Sequence, residues 1–211
     1  MTGYMITFEG GEGAGKSTQA QRLYEAFERD GRKVLLTREP GGTKGAEAIR
    51  ELLLFGGHSL SLRSEIMAHF AARCDHIDQV MKPALNQGCV VICDRYIDST
   101  LAYQGYGLGK GDPQLLQYIQ TLSNLVELQP NLTLMFEAPY DVMRARCHAR
   151  QGRVDRYEQL DETFHYRVLD GFQQIMADCP DRCIPVNGHR DVDSVHQDVY
   201  ELVSQKLFEL K

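Results

Sequence analysis

A glycine-rich octapeptide near the N-terminus limits what this chain can fold into more than any other feature. Residues 10–17 read Gly-Gly-Glu-Gly-Ala-Gly-Lys-Ser and match the pattern G-x-x-x-x-G-K-[ST]. A short β run precedes them, and apolar residues at helical spacing follow them. In that context glycines let backbone N–H groups surround an anion, and the helix N-terminus adds partial positive charge. The sequence therefore predicts a phosphate-binding loop (P-loop).

Short strands and helices alternate along the rest of the chain. Strands are predicted at residues 4–9, 33–37, 89–93, 132–136 and 183–186. One helix is predicted directly after the P-loop, and another begins at residue 113. Further helices are predicted at residues 45–55, 64–86, 99–103, 140–150, 159–177 and 192–207. Residues 105–112 are predicted to form a mobile glycine-rich loop. Strict alternation indicates a parallel sheet with helices on both faces and ligands at the carboxyl ends of the strands.

Length and composition limit the classes of protein that this chain can belong to. With 211 residues, 43% of them apolar, it suits one domain over residues 1–211. No long apolar run or signal-like N-terminus is present, so we expect a cytoplasmic protein. The net charge of −6 argues against broad nucleic-acid binding. The six cysteines form no C-x-x-C pair and are predicted to be buried free thiols rather than metal ligands or disulfides.

The P-loop residues have distinct chemical tasks. Lys16 is placed to reach the β- and γ-phosphates of a nucleotide, and the hydroxyl of Ser17 to bind Mg²⁺. Asp94 ends an apolar strand, where a carboxylate orients Mg²⁺ or its waters; the alternative is a simple strand-end turn residue. The predicted ATP-binding residues are Gly10, Gly11, Glu12, Gly13, Ala14, Gly15, Lys16, Ser17 and Thr18.

Arginines mark a second phosphate site. Arg95 follows Asp94 directly, and its planar guanidinium suits an acceptor phosphate. Five more arginines crowd an otherwise acidic chain; they are Arg144, Arg146, Arg150, Arg153 and Arg156. Such a run is often a solvated helix face, but here it includes Gly152 as a hinge and predicts a lid over residues 144–157. Arg150 and Arg153 are the first candidates to supply a guanidinium to the transferring phosphoryl group.

Five segments carry a longer pattern. They are residues 9–17 (EGGEGAGKS), 37–43 (TREPGGT), 70–73 (FAAR), 94–105 (DRYIDSTLAYQG) and 155–158 (DRYE). In this order they resemble the bacterial thymidylate kinases, a family of P-loop nucleoside monophosphate kinases. The fold expected is α/β, the three-layer P-loop NTPase fold, with a five-stranded parallel sheet, helices on both faces and a short arginine-rich lid. The resemblance implies direct in-line transfer of the ATP γ-phosphoryl group to dTMP with Mg²⁺, giving dTDP for dTTP biosynthesis, and a homodimer.

The resemblance also assigns the acceptor pocket. It implies that Phe70 stacks on thymine and that Arg73 donates a hydrogen bond to a base carbonyl. Thr100 and Gln104 are expected near the base edge, and Tyr103 where a ribose 2′-hydroxyl would clash.

Phosphate and border residues follow from the same resemblance. Arg95 is expected to grip the acceptor phosphate, Glu12 to lie between donor and acceptor, and Glu39 to border the monophosphate with Pro40. The chain departs from the family where Phe70 precedes Arg73 by three residues, since some relatives have four, which would put His69 in the place of the aromatic. For adenine, Asn187 and Gly188 after the last strand are the candidates.

Two other functions fit the P-loop. One is a kinase for a different nucleotide or nucleoside on the same fold, because a fold does not fix a substrate. The other is a nucleotide-dependent switch that transfers nothing. The chain has no N-K-x-D guanine-reading motif, and the arginines indicate a second phosphate substrate, so we favour a kinase.

Overall fold

Five parallel strands form the centre of the computed structural model, which describes residues 3–150 and 152–209. They are β1 (Tyr4–Gly10), β2 (Val34–Arg38), β3 (Val90–Asp94), β4 (Leu132–Glu137) and β5 (Cys183–Asn187). Their order is β2-β3-β1-β4-β5, and every neighbouring pair is parallel. The parallel five-stranded sheet predicted from sequence is confirmed. Residues 1, 2, 210 and 211 of the predicted domain and residue 151 of the predicted lid lie outside the described residues.

Helices connect the strands. They are α1 (Lys16–Arg29), α2 (Lys44–Phe55), α3 (Leu62–His76), α4 (Lys82–Asn86), α5 (Ile97–Thr100), α6 (Pro113–Leu125), α7 (Tyr140–Ala149), α8 (Glu162–Asp178) and α9 (Val192–Phe208). Two π-helical segments extend them, since Ile77–Met81 joins α3 to α4 and Leu101–Leu108 continues α5. Several helices begin at a side-chain oxygen that accepts a hydrogen bond from a backbone N–H of the first turn. These caps are Thr43, Ser61, Asp112, Asp161 and Asp191.

Alternate residues of each strand pack on opposite faces of the sheet, as the period of two requires. Phe8 and Ile92 belong to a core shared with α1 and α9 on one face. Met5 and Val91 belong to a second core, shared with α3 and α6, on the other face. Helices on both faces bury β1, so its carboxyl end delivers the P-loop from a fixed position.

The prediction of a mobile loop at residues 105–112 is wrong for its first part, because residues 105–108 belong to the π-helical segment. The glycines there serve close packing. A Cβ on Gly107 would lie 2.5 Å from a ring carbon of Phe164, and one on Gly105 would lie 2.7 Å from Leu116. Glycine lets this segment approach α6 and α8, which fixes the helix that carries Thr100 and Gln104.

The burial of the cysteines matches the sequence-based prediction only in part. All six thiols are free, as predicted, but Cys74 is exposed, and only Cys93 and Cys183 are fully buried. Among residues 3–150 and 152–209, no helix is both long enough and apolar enough to cross a membrane.

Candidate active site

The P-loop connects the end of β1 to the start of α1. Gly13 and Gly15 have φ angles of +77° and +103°, which L side chains rarely adopt. A Cβ on Gly13 would also lie 2.2 Å from the carbonyl oxygen of Met143 in α7. The glycines therefore allow both the turn and its close contact with α7.

Lys16 occupies the mouth of this loop. Its side chain is buried, and Nζ donates a hydrogen bond of 2.6 Å to the carbonyl oxygen of Gly11. Burial, with Arg95 nearby, lowers the pKa of Lys16 to about 8, although Glu12 and Asp94 oppose the shift. A bound polyphosphate would favour the charged ammonium.

The P-loop lines a donor cavity on one side of the carboxyl edge. Most of the predicted ATP-binding residues lie on its wall, together with Gly188 after β5. Arg146 of α7 also lines it and donates a hydrogen bond of 2.9 Å to the carbonyl oxygen of Gly188 and one of 3.4 Å to that of Gly13. Sequence reasoning counted Arg146 as a lid arginine and missed its place in the donor cavity. Gly10 and Gly11 of the predicted set, and the adenine candidate Asn187, are not among the lining residues.

Ser17 and Asp94, the two predicted Mg²⁺ ligands, lie in contact with each other, and Ser17 lines both the donor and the acceptor cavity. Ser17 Oγ donates a hydrogen bond to Asp94 Oδ2. Asp94 Oδ1 is buried and has no hydrogen-bond partner among the described residues. A hydroxyl beside an unpartnered carboxylate oxygen is the oxygen donor set that Mg²⁺ prefers. Within the described chain no group of three or more acidic, histidine or cysteine residues is arranged to hold a metal, so the phosphates and waters would complete such a site.

Arg95 is the hub of the acceptor side. Its backbone has φ +68°, and its guanidinium donates hydrogen bonds to Ser99 at 3.0 Å, Glu12 at 2.6 Å and Tyr103 at 3.1 Å. Tyr103 in turn donates a hydrogen bond of 3.1 Å to Glu12. Burial alone would raise the pKa of Glu12, but Arg95 and Lys16 outweigh it and lower that pKa to about 2. The ionised Glu12 therefore holds Arg95 and Tyr103 together at the boundary of the two cavities.

Arg73 and Thr100 lie on the wall of a second cavity, the acceptor cavity, which Arg95 and Tyr103 also line. Arg73 donates hydrogen bonds of 2.7 Å to Glu39 and 2.9 Å to Thr100, and all three residues line the cavity. Glu39 also contacts His76, which lies 2.7 Å from the hydroxyl of Thr37. The Nη1 atom of Arg73 is buried without a partner among the described residues. A buried unpaired donor on a cavity wall is suited to a ligand carbonyl.

The structure does not bring Phe70 into the acceptor cavity. Phe70 packs in the core with Ile66 and Ile77, and the Arg73 guanidinium lies 4.9 Å from the centre of its ring. His69 lines the cavity instead, one helical turn before Arg73. Burial, with Arg73 and Arg156 nearby, lowers the pKa of His69 to about 3, so its ring is neutral. The separation of three residues between Phe70 and Arg73 turns the phenyl ring toward the core, and His69, four residues before Arg73, lines the cavity in its place.

Gln104 lines the same cavity, but its amide nitrogen is already engaged by Glu65 and Tyr157. Glu65 is almost fully buried and pairs with Arg156. Neither Glu65 nor Tyr157 was expected at this site. Glu65 lies in the first turn of α3, where a glutamate commonly stabilises the helix N-terminus. The sequence alone therefore does not indicate that it belongs to a buried polar cluster.

The five arginines of the predicted lid have different surroundings. Arg150 lines both the donor and the acceptor cavity and pairs with Glu158. Arg153 lines the acceptor cavity but not the donor cavity, and it forms an exposed ion pair of 2.7 Å with Glu51. Arg144 and Arg156 line neither cavity. The structure therefore separates the two first candidates, because Arg150 alone of the pair borders both substrates' cavities.

Comparisons with known proteins agree with one another. The family model described as thymidylate kinase matches residues 8–199. A thymidylate kinase of Gluconobacter oxydans is 52% identical over 97% of this chain and 96% of its own length. One from Pseudomonas fluorescens is 45% identical over 98% of each chain. The crystal structure of a thymidylate kinase from Ehrlichia chaffeensis, 37% identical, superposes with a TM-score of 0.77 over 97% of this chain and 99% of that one.

The agreement extends from the sheet to the site. The solved relative confirms the expected three-layer fold, and the P-loop, Asp94-Arg95 and arginine-rich segments lie at the carboxyl edge where the fold places ligands. Because the family model covers most of the chain and the relatives align nearly end to end, this chain belongs to the thymidylate kinase family.

Proposed function

We propose that this chain transfers the γ-phosphoryl group of ATP to dTMP and forms dTDP. Family membership supports ATP as donor and dTMP as acceptor. The observation that carries the proposal is that the donor and acceptor cavities share Glu12, Ser17 and Arg150 on their walls. Two phosphates bound in the two cavities would therefore meet at one boundary, which direct in-line transfer requires.

Catalysis then rests on charge and position. The attacking group is already an anionic phosphate oxygen, so it needs little help from a general base. Lys16 and the P-loop N–H groups would stabilise the donor phosphates, Arg95 would hold the acceptor phosphate, and Arg150 would approach the transferring group. Glu12 keeps Arg95 in place, as its 2.6 Å ion pair indicates.

Mg²⁺ belongs to this proposal because Ser17 and Asp94 fit it. Ser17 would contribute its hydroxyl, and the unpaired oxygen of Asp94 would bind the ion or its waters. When bound, the ion neutralises the charge on the donor phosphates.

The acceptor pocket supports a thymine base on a deoxyribose. The unpartnered Nη1 of Arg73 would donate to a base carbonyl, and Thr100 and Gln104, which line the same cavity, would face the base edge. We assign the ring beside the base to His69 rather than Phe70. Tyr103 is held by Glu12 and Arg95 and packs edge-on against Tyr157, so a 2′-hydroxyl directed at it would find no room.

Three wider features complete the proposal. The chain acts as one P-loop kinase domain whose lid includes Arg150 and Arg153, it works in the cytoplasm, and it forms a homodimer. Exposed apolar side chains on the packed helices α2 and α3, Leu52 and Met67, support an interface there. Light scattering of the purified chain should give twice the mass of 23.9 kDa, and Met67→Glu should lower it toward that mass. A single-chain mass for the unsubstituted protein would exclude the homodimer.

An acceptor panel tests the reaction. The purified protein receives ATP and Mg²⁺ with dTMP, dUMP, CMP or thymidine, and the products are separated by ion-exchange chromatography. We expect dTDP to form fastest. Faster turnover of thymidine or CMP would assign the chain to another acceptor, and hydrolysis of nucleotide with no transfer would make it a switch.

A lysine substitution tests the P-loop assignment. Lys16→Ala should slow dTDP formation by at least about 100-fold, because it removes a buried cation from the donor phosphates. The thermal midpoint should change little. Lys206→Ala, which removes a half-buried lysine of α9 that pairs with Glu209, is the control and should keep full activity. Near-normal turnover of the Lys16 variant would contradict the assignment.

A further inference from the structure

A buried polar cluster links the lid to the acceptor pocket through Glu65. Gln104 Nε2 lies 3.0 Å from Glu65 Oε1 and 3.0 Å from the hydroxyl oxygen of Tyr157. The Tyr157 hydroxyl lies 2.7 Å from the same Glu65 oxygen, and His69 Nε2 lies 3.3 Å from Tyr157. Arg156 pairs with the other carboxylate oxygen. Glu65, His69, Gln104 and Tyr157 are each less than 9% exposed, so water competes little for these bonds.

The chemistry of the cluster fixes the direction of every hydrogen bond. The Glu65 carboxylate, paired with Arg156, only accepts. Tyr157 must therefore donate its single hydroxyl hydrogen to Glu65, which leaves the Tyr157 oxygen as an acceptor. The groups that approach it, Gln104 and His69, must then donate an N–H. Gln104 consequently turns its NH₂ group toward Glu65 and Tyr157, and its carbonyl oxygen accepts nothing from the described residues.

We propose that Glu65 is a positioning residue that sets the base specificity of the pocket by holding the Gln104 amide with its carbonyl oxygen toward the base. The proposal rests on the proposed function, since it concerns the same acceptor cavity. Glu65 itself does not line that cavity; it acts through Gln104, which does.

The wall of the cavity then carries a donor and an acceptor in fixed places. Arg73 and His69 lie one turn apart on α3, and Thr100 and Gln104 lie one turn apart on the facing helix. Arg73 offers the free N–H of Nη1, and Gln104 offers a carbonyl oxygen. A ring edge with a carbonyl beside an N–H, as in thymine and uracil, satisfies both. Cytosine, with an amino group beside an unprotonated nitrogen, would meet Arg73 and Gln104 with the wrong polarity.

The choice of substrates isolates this effect. dUMP and dCMP differ only at the base edge, because neither carries the 5-methyl group. We expect Glu65→Gln to reduce the preference for dUMP over dCMP in kcat/KM by about 10-fold or more, since a buried amide freed to rotate satisfies either edge. The change should fall mainly on KM. The preference for dTMP over dUMP depends on the methyl group and should stay unchanged.

Three variants distinguish a change in the orientation of the Gln104 amide from a general loss of structure. Glu65→Asp keeps a carboxylate and should restore most of the preference for dUMP. Tyr157→Phe removes one bond of the cluster but leaves Glu65 to hold the amide, so the preference should be kept. In a Gln104→Met background, Glu65→Gln should change the preference no further. Equal loss of dUMP and dCMP activity in Glu65→Gln would show a purely structural role and would overturn the proposal.

The unsubstituted protein gives a second measurement if Glu65→Gln does not fold. In NMR spectra the side-chain amide protons of Gln104 should exchange slowly and shift little when dTMP binds, because they face Glu65 rather than the base. Fast exchange, or contact of those protons with the base, would overturn the proposal. Failure of the proposed function would look different, since the unsubstituted protein would then not phosphorylate dTMP at all.

Discussion

Arg73 and Glu39 form a buried ion pair on the wall of the acceptor cavity. The Nε–Oε2 distance is 2.7 Å, and both side chains are about 2–3% exposed. Removal of one partner of such a pair leaves an uncompensated charge in a region of low dielectric. The sequence-based expectation gave Arg73 a role in binding alone, whereas the structure gives it a second role in stability.

A substitution at this pair measures that second role. We expect Arg73→Met to lower the free energy of unfolding by about 3–5 kcal/mol, because the Glu39 carboxylate loses its main partner. Urea denaturation followed by circular dichroism measures the change. Adding Glu39→Gln should recover part of the loss, since the buried charge is gone. If the double variant were less stable than Arg73→Met, uncompensated charge would not be the cause.

Glu9 should make stability depend on pH. Burial and the neighbouring Asp98 raise its pKa from 4.5 to about 7. Between these two values the folded protein keeps a proton that the unfolded chain has lost. The contribution of Glu9 is therefore fully present below pH 4.5 and is lost as the pH rises to about 7.

The Glu9→Gln variant tests this dependence, because glutamine does not titrate. Between pH 5 and pH 7.5, we expect the free energy of unfolding to fall more steeply in the unsubstituted protein than in the variant. The difference in slope should not exceed about 1.4 kcal/mol per pH unit, the limit for one proton. Denaturation curves at four pH values are sufficient. Parallel profiles for the two proteins would exclude Glu9 as the titrating group.

The positions of functional side chains could be predicted where a sequence motif fixes the local backbone. Lys16, Ser17, Asp94 and Arg95 follow directly from the ends of two strands. In the structure Lys16 and Ser17 line the donor cavity, and Ser17 contacts Asp94, which lines the acceptor cavity with Arg95. The aromatic beside the base could not be predicted in this way. His69 and Phe70 are adjacent on one helix, and a rotation of about 100° decides which of them faces the cavity. That rotation depends on tertiary packing, which the sequence does not display.

Strands were easier to predict than helix type. Each predicted strand begins and ends within one residue of the observed one, because each is a short, mainly apolar run bounded by polar or turn-forming residues. The π-helical segments Ile77–Met81 and Leu101–Leu108 could not be predicted. Their hydrogen-bond pattern differs from that of an α-helix, but the residue composition does not mark the difference. Gly105 and Gly107 also indicate loops in most sequences.

The contact of the second π-helical segment with α8 depends on the absence of a side chain. A Cβ on Gly107 would lie 2.5 Å from Phe164 and 2.8 Å from Val168, both buried. We therefore expect Gly107→Ala to destabilise the fold by about 1–3 kcal/mol in chemical denaturation, because the neighbours cannot move aside freely.

Gly45→Ala is the matched control for this substitution. Gly45 is exposed in the first turn of α2, and its nearest neighbour is a carboxylate oxygen of Asp75 at 3.0 Å, the end of a side chain rather than a packed ring. Alanine there should be neutral or stabilise by up to about 1 kcal/mol through helix propensity. Equal destabilisation by the two substitutions would exclude close packing as the reason for glycine at position 107.

In the complete molecule the two cavities adjoin, because Glu12, Ser17 and Arg150 line both of them. Arg150 borders both cavities, whereas Arg153 borders the acceptor cavity and is held by an exposed pair with Glu51. This arrangement could not be predicted from spacing, because both arginines lie in the same short segment. The difference between the two arginines depends on the path of the chain between α7 and α8, because Arg150 directly follows α7 and Arg153 lies three residues further along.

The two arginines should therefore differ in their effect on turnover. Arg150→Met should lower kcat by about 100- to 1,000-fold, since it removes a cation from the transferring group. Arg153→Met should lower kcat much less, because an exposed ion pair contributes little. Rapid-quench measurement of dTDP formation at saturating substrates compares them. A larger fall for Arg153→Met would reverse the assignment.

Arg95 has a left-handed backbone conformation, with φ +68°, which glycine adopts more readily than a residue with a side chain. The guanidinium is needed there, so the chain accepts a conformational cost of about 1–2 kcal/mol. Glycine would relax that backbone but would leave the Glu12 carboxylate without its ion-pair partner, which costs more than the relaxation returns. The strain at position 95 is therefore locked in place by the charge beside it, and evolution cannot remove the one without losing the other.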